Sequence, residues 1–206
     1  MRKYIAELIG TFGLTFVVIL SIASAGVTLG TPFIAALTLT LFVYSIGAVS
    51  GSHINPAVTA GLLAIGKIDV KDAVFYIVSQ FIGATAAMGL AGMLGLQLPV
   101  VSVSTDSLVL VGEAFGAFFF TFGIASVAQG RAPDAASGIV VGGSLLLGIA
   151  VASLIGSAGV LNPAVAFGLG SFNIPYVIGP ILGSVFGMLT YRLIDSGTET
   201  NKKDRK

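Results

Sequence analysis

Two stretches decide the reading of this chain: SGSHINPAVT, Ser50 to Thr59, and GVLNPAVAFG, Gly159 to Gly168. Each carries Asn-Pro-Ala inside charge-free sequence. No Asp, Glu, Lys or Arg lies between Leu8 and Gly66, nor between Ala135 and Tyr191. A single Asn-Pro is most simply a capped helix or a turn. Two copies, Asn55-Pro56-Ala57 and Asn162-Pro163-Ala164, ask for a symmetric reason. Proline at the first helical position loses nothing, because its missing N–H had no partner there. Asn before it caps the helix with its side-chain oxygen. The amide nitrogen is then left as a donor pointing away from the helix. Each motif therefore predicts the start of a short helix with one free donor, and Ala keeps the contact between two such starts narrow.

The surroundings are a membrane protein's. Apolar residues make up 55% of the 206 and charged residues 9%, against about 25% charged in an ordinary globular domain. The mean hydropathy is +1.02. A water-soluble protein of this size could not hide that much apolar surface. Cysteine is absent, which excludes disulfides and thiol chemistry. The single histidine, His53, excludes a zinc or haem site built on imidazoles. No nucleophile–base pair or metal cluster stands out, so no enzyme, cofactor, metal or nucleic-acid partner is expected. MRKY followed by an apolar run imitates a signal peptide, but no polar cleavage region follows, and it reads as a first spanning helix that stays.

About 20 apolar residues cross the hydrocarbon as a helix. Six segments qualify: Tyr4–Ala25, Phe33–Ser50, Val74–Leu94, Leu108–Val127, Gly138–Ile155 and Ile174–Ile194. Continuous apolarity without alternation excludes a membrane β-barrel. Asn55 to Gly66 and Asn162 to Gly170 are too short to cross. All ten basic residues fall on one side of a six-span arrangement: Arg2, Lys3, Lys67, Lys71, Arg131, Arg192 and the four in the tail. That bias predicts both termini in the cytoplasm. Residues 196–206 read as a disordered, solvated cytoplasmic tail.

The halves also match each other. IAELIGTFGLTF at Ile5–Phe16 is similar to VGEAFGAFFFTF at Val111–Phe122. Repeats of about 1–100 and 106–195 within one domain, 1–206, follow. Three spans per repeat is odd, so the second copy enters the membrane upside down. Interrupted segments at matching places in inverted repeats point to a solute path. The two short segments then dip in from opposite faces and meet near the midplane. Irregular backbone survives at that depth only when it is buried in protein or lines a watery cavity.

With these motifs the chain resembles the aquaporin and glyceroporin family, the major intrinsic proteins, over nearly its whole length. The carriers are Ser50, Gly51, His53 and Asn55 to Thr59; Tyr76, Gln80, Gly83 and Ala84; and Gly179, Pro180 and Gly183. The resemblance implies an all-α fold of six transmembrane helices plus two re-entrant half-helices, a pore through each monomer, and a homotetramer. It implies that Asn55 and Asn162 hold the permeant at the midplane and that His53 lines the inner half. For His53 a packing role is the plain alternative, and a pH gate a remoter one. It implies that Glu7 and Glu113 accept hydrogen bonds from the backbone before each half-helix. The alternatives are a charge near the surface for Glu7 and a proton relay for either. Gly179, Gly183 and Gly187 read as a close-packing stripe, with Gly83 facing them.

One departure stands out. Val165 occupies the place where the family carries its filter arginine, and Ala135 to Tyr191 holds no basic residue to replace it. The other filter places correspond to Ala35, Ala150 and Gly159. The resulting expectation is a wide, apolar constriction, unless Tyr44, Phe33, Phe42 or Phe167 refills it. The expected function is a passive channel for water and small uncharged solutes such as glycerol, in a prokaryotic inner membrane. The rivals are a channel that also conducts ions, a secondary transporter, and a structural membrane protein with a vestigial pore.

Overall fold

The computed structural model describes residues 1–24, 29–98, 101 and 107–203, with side chains to Ser196. Eight α-helices are present among them: α1 (Arg2–Ala23), α2 (Thr31–Ser50), α3 (Pro56–Ala64), α4 (Val70–Met93), α5 (Ser107–Ala128), α6 (Ser137–Ile155), α7 (Pro163–Gly168) and α8 (Ile174–Lys203). Six are long and apolar enough to cross a membrane. The other two, α3 and α7, are the short pieces after the Asn-Pro pairs. No strand occurs among the described residues.

Local chemistry explains the boundaries. Pro32 sits in the first turn of α2, Pro56 opens α3 and Pro163 opens α7. Gly51 (φ 84°) and Gly156 (φ 113°) end α2 and α6 in the left-handed region that glycine enters without a Cβ clash. The third span starts at Val70 rather than Val74, because the Asp69 side chain accepts the Asp72 N–H (2.8 Å) and caps a turn the hydropathy pattern did not include. Helix α8 runs to Lys203, through most of the stretch expected to be a disordered tail. Nothing breaks it there, since its two prolines, Pro175 in the first turn and Pro180, lie far upstream, and extending a formed helix adds one hydrogen bond per residue fixed. The expected end of the first span at Ala25, the repeat boundaries at 100 and 106, and Arg205 and Lys206 lie outside the described residues.

The halves are arranged as an inverted repeat. In each, the first helix packs on both its neighbours: α1 on α2 and α4, α5 on α6 and α8. The half-helices cross over, with α3 packing on α8 and α7 on α4. Lipid tails are as apolar as the helices, so close approach through small residues holds such a bundle together. A Cβ at Gly179 would lie 2.8 Å from the Leu110 carbonyl oxygen, and one at Gly183 would fall on that of Ala114. Gly83 does the same against Leu8 of α1, so it does not face the α8 glycines as expected. The inverted repeat gives it its own partner, 106 positions before Ala114. Lys3 pairs with Asp72, and Arg131 Nε with Asp195 (2.5 Å), tying α1 to α4 and the end of α5 to α8 at the face that carries both termini.

Candidate functional site

The chain turns back into the bundle twice, over 51–55 and 156–162. In the first turn Ser52 (φ 52°) and Ile54 (φ 40°) are left-handed; in the second, Gly159 (φ 68°) and Leu161 (φ 53°). For a β-branched residue this conformation is an outlier, costing on the order of 1–3 kcal/mol. Ile54 and Leu161 are nevertheless fully buried, so something overdetermines them.

The buried glutamates do. Glu7 accepts the backbone N–H of His53 (2.9 Å) and Ile54 (2.6 Å), the Ser50 hydroxyl (2.7 Å) and the Gln80 amide (2.8 Å). Glu113 accepts the N–H of Val160 (2.9 Å) and Leu161 (2.6 Å) and the Ser157 hydroxyl (2.5 Å). Each carboxylate replaces the partners that an irregular backbone would otherwise lack in hydrocarbon. Among the described residues, both carboxylates are met by backbone N–H groups, serine hydroxyls and, for Glu7, the Gln80 amide.

The turns deliver the two asparagines to one spot. Asn55 Oδ1 accepts the Ala57 N–H (2.8 Å), and Asn162 Oδ1 accepts those of Ala164 (3.0 Å) and Val165 (3.3 Å). Both are therefore N-caps. Their amide nitrogens are not wholly free, as the sequence suggested. Asn55 Nδ2 donates to Leu161 O (2.9 Å) and Asn162 Nδ2 to Ile54 O (3.0 Å). This reciprocal clasp uses the carbonyls that the left-handed residues turn across the interface. One amide hydrogen per asparagine remains outside the clasp. Pro56, Ala57, Pro163 and Ala164 are buried around the clasp and line no part of the open space.

A cavity of about 260 Å³ runs along the clasp, far beyond the ~30 Å³ share of one water. Asn55, Asn162 and His53 line it, as do Ala35, Gly159 and Val165. Ala150 does not: it is exposed on the outside of α6, and Ile149 takes its place on the lumen. One step along a helix turns a side chain by about 100°, and the lumen face of α6 carries Leu145 and Ile149, four apart. The cavity wall therefore holds a branched side chain, Ile149, where a methyl group was expected.

None of the proposed refilling aromatics lines the cavity. Tyr44 donates its hydroxyl to Ala135 O (2.9 Å), Phe42 packs at Gly13, Phe33 is 42% exposed, and Phe167 meets Phe81 and Phe172 edge to face. Phe120 lines it instead. Its repeat mate is Leu14, also on the lumen, and each lies seven residues after its glutamate. Seven residues are two helical turns, so this face was available from the glutamate spacing.

His53 both lines the cavity and packs. Its ring lies edge-on to Tyr76 (4.9 Å), and Nδ1 is 3.2 Å from Thr59 Oγ1. Thr59 gives its one hydroxyl hydrogen to Asn55 O (3.0 Å). It can then only accept from His53, so the hydrogen-bond network assigns the ring hydrogen to Nδ1 and leaves Nε2 as an acceptor.

Six spanning helices, two half-helices meeting at capped asparagines and a cavity past the clasp define a membrane channel fold built on an inverted repeat. The chain belongs to the family described as Major intrinsic protein, whose sequence profile matches residues 1–191. It is 31% identical to "Aquaporin NIP1-1" of Arabidopsis thaliana, over 94% of this chain and 74% of that protein. It is 32% identical to "Glycerol uptake facilitator protein-like 6" of Lactiplantibacillus plantarum, over 95% and 99%. The solved aquaglyceroporin from Plasmodium falciparum superposes with a TM-score of 0.74 at 22% identity, covering 92% of this chain and 94% of that one.

Proposed function

We propose that the chain is a passive pore for water and small uncharged solutes, glycerol among them. The reading rests on Asn55 and Asn162 clasped beside one cavity, each with an amide hydrogen to offer. The names of its relatives, an aquaporin and a glycerol uptake facilitator, agree with it. Permeant oxygens accept from the two asparagines, and gradients alone drive the flux. The N-terminal ends of α3 and α7 add positive potential at the same depth, which opposes cations and turns a file of waters in opposite directions above and below. Ala35, Ile149, Gly159 and Val165 set the outer width, and His53 lines the inner half.

The assembly is a homotetramer of single-domain chains in a prokaryotic plasma membrane, with both termini cytoplasmic. The side-specific placement of all ten basic residues supports the orientation. A second reading, a pore that also leaks ions, is favoured by one observation: Val165 stands where the family carries an arginine.

Stopped-flow light scattering of protein-bearing liposomes tests the pore. An osmotic step with sucrose should shrink them faster than empty liposomes, and glycerol should then enter. Shrinkage no faster than in empty vesicles would leave only a structural protein. Bilayer conductance separates the ion-leaking reading. Val165→Arg should slow glycerol and reduce any current; unchanged permeability to both would remove Val165 from the constriction.

A further inference from the structure

We propose that the outer half of this pore selects by hydrogen-bond demand, passing small aliphatic diols such as ethylene glycol and 1,2-propanediol in preference to urea and glycerol. The proposal rests on the channel reading above and names its solute class.

The polar wall of the outer half is the 158–160 stretch, which lines the cavity. Its donors are taken: the Ala158 N–H meets the Tyr176 hydroxyl. Gly159 N–H goes to Ser157 Oγ (3.2 Å), and the N–H groups of Val160 and Leu161 go to Glu113. Leu161 O is held by Asn55. Gly159 and Val160 have only carbonyl oxygens left to offer the lumen. The facing walls are apolar: Ala35 from α2, Ile149 from α6 and Val165 from α7. Between Thr31 at the rim and the asparagine pair, the described lining residues supply no side-chain donor. The inner half repeats the pattern. Ser52 N–H goes to Ser50 Oγ (3.0 Å), and those of His53 and Ile54 go to Glu7.

A solute here meets acceptors on one side and hydrocarbon on the other. A vicinal diol fits: both hydroxyl hydrogens turn to the carbonyls, and its CH₂ or CH₃ edge turns to Ile149 and Val165. Urea does not fit. It has N–H groups on several edges and a strong carbonyl acceptor that needs a donor, and a group left unpaired away from water is costly. Glycerol differs from 1,2-propanediol by one hydroxyl, which falls on the apolar side.

The test is solute entry into liposomes bearing the full chain, corrected for empty vesicles, with water flux measured in the same preparation. Ethylene glycol should enter about tenfold faster than urea, the factor set by one unpaired acceptor. By the same reasoning 1,2-propanediol should enter severalfold faster than glycerol. Val165→Thr adds one hydroxyl donor at similar volume and should raise the urea-to-ethylene glycol ratio severalfold. Urea entering as fast as ethylene glycol, with rapid water flux present, overturns the proposal and leaves the channel reading intact. Loss of water flux as well overturns both. An unchanged ratio in well-folded Val165→Thr removes this wall as the discriminating surface, and the wild-type ratios decide alone if that variant does not accumulate.

Discussion

In the first repeat the carboxylate of Glu7 receives two backbone N–H groups, a serine hydroxyl and the side-chain amide of Gln80. In the second, Glu113 receives the same kinds of backbone group and serine, but no amide. Three residues before Gly83 stands Gln80; three residues before Gly183 stands Pro180. Gln80 also reaches Thr59 Oγ1 (3.0 Å), which in turn holds His53 and the Asn55 carbonyl. The first half-turn is thus tied by a network of polar side chains. The second is tied by one carboxylate, one serine and the Tyr176 hydroxyl, which meets Ser157 and the Ala158 backbone, and it lines the cavity with Ala158, Gly159 and Val160. A duplicated fold has kept the reversal of the chain in both halves and spent its spare polar groups on one.

The two carboxylates can be removed to break that comparison. Glu113→Ala leaves Ser157, Val160 and Leu161 without their acceptor in a buried, left-handed turn. Each orphaned donor costs about 1–3 kcal/mol, so a loss on the order of 3–5 kcal/mol is expected, with little folded protein surviving. Glu7→Ala should be milder. Gln80 Oε1 is buried with no partner among the described residues, and a turn of its amide offers the stranded N–H groups a neutral acceptor. Thermal unfolding in detergent and liposome water flux read both. Equal loss in the two variants would mean that Gln80 gives no reserve.

A smaller difference lies where the helices cross the turns. Gly10 and Gly116 are equivalent positions on α1 and α5, each against the left-handed residue of its own repeat. At Gly116 an added Cβ meets the backbone Gly148 O at 2.6 Å as well as the Leu161 side chain at 2.7 Å. At Gly10 its neighbours are the Ile54 and Ile46 side chains alone. Backbone cannot step aside as a methyl group can. Gly116→Ala is therefore expected to cost about 1–3 kcal/mol by overpacking, with Gly10→Ala toward the lower end. Unfolding midpoints in the same detergent compare them, and a larger drop for Gly10→Ala would reverse the assignment of the rigid side.

Much of this was legible in the residues. Charge-free runs gave the spans, and the paired Asn-Pro gave the half-helices, because proline and asparagine have few other uses at that depth. Glu7 and Glu113 declared themselves by being carboxylates in apolar helices. What could not be read was rotation and partnership. The resemblance places Ala150 across an irregular turn whose length in ångströms the residues do not state, and one residue of slip separates it from Ile149 on the lumen. The clasp between Asn55 and Leu161 joins segments 106 positions apart through a backbone carbonyl, and any residue type carries that group. Gly83 was assigned across the repeats because small residues specify closeness but not the neighbour. Helix α8 outran its apolar stretch because helix propagation ignores hydropathy.

The smallest expected effect tests that rotation directly. Ile149→Ala removes a branched side chain from the lumen wall facing Gly159, whose added Cβ would lie 3.0 Å from Ile149 Cγ2. The pore should widen there, and glycerol entry should rise severalfold, which corresponds to under about 1.4 kcal/mol in the barrier. Ala150→Leu adds bulk on the outside of α6, where Ala150 is exposed, and should leave the ratio of glycerol to water flux as it was. Side-by-side stopped-flow traces distinguish the two positions without reference to absolute rates. If Ala150→Leu slowed glycerol and Ile149→Ala did not change it, α6 would be rotated by one residue, and the outer wall would again be lined by methyl groups. The selection of diols by an apolar wall would then rest on Val165 and Ala35 alone, with less surface to reject a third hydroxyl. Flux through Ile149→Ala thus sharpens the contrast between the half-turns as well, because it reports how much of the outer lumen the second repeat contributes from α6 in addition to its loop.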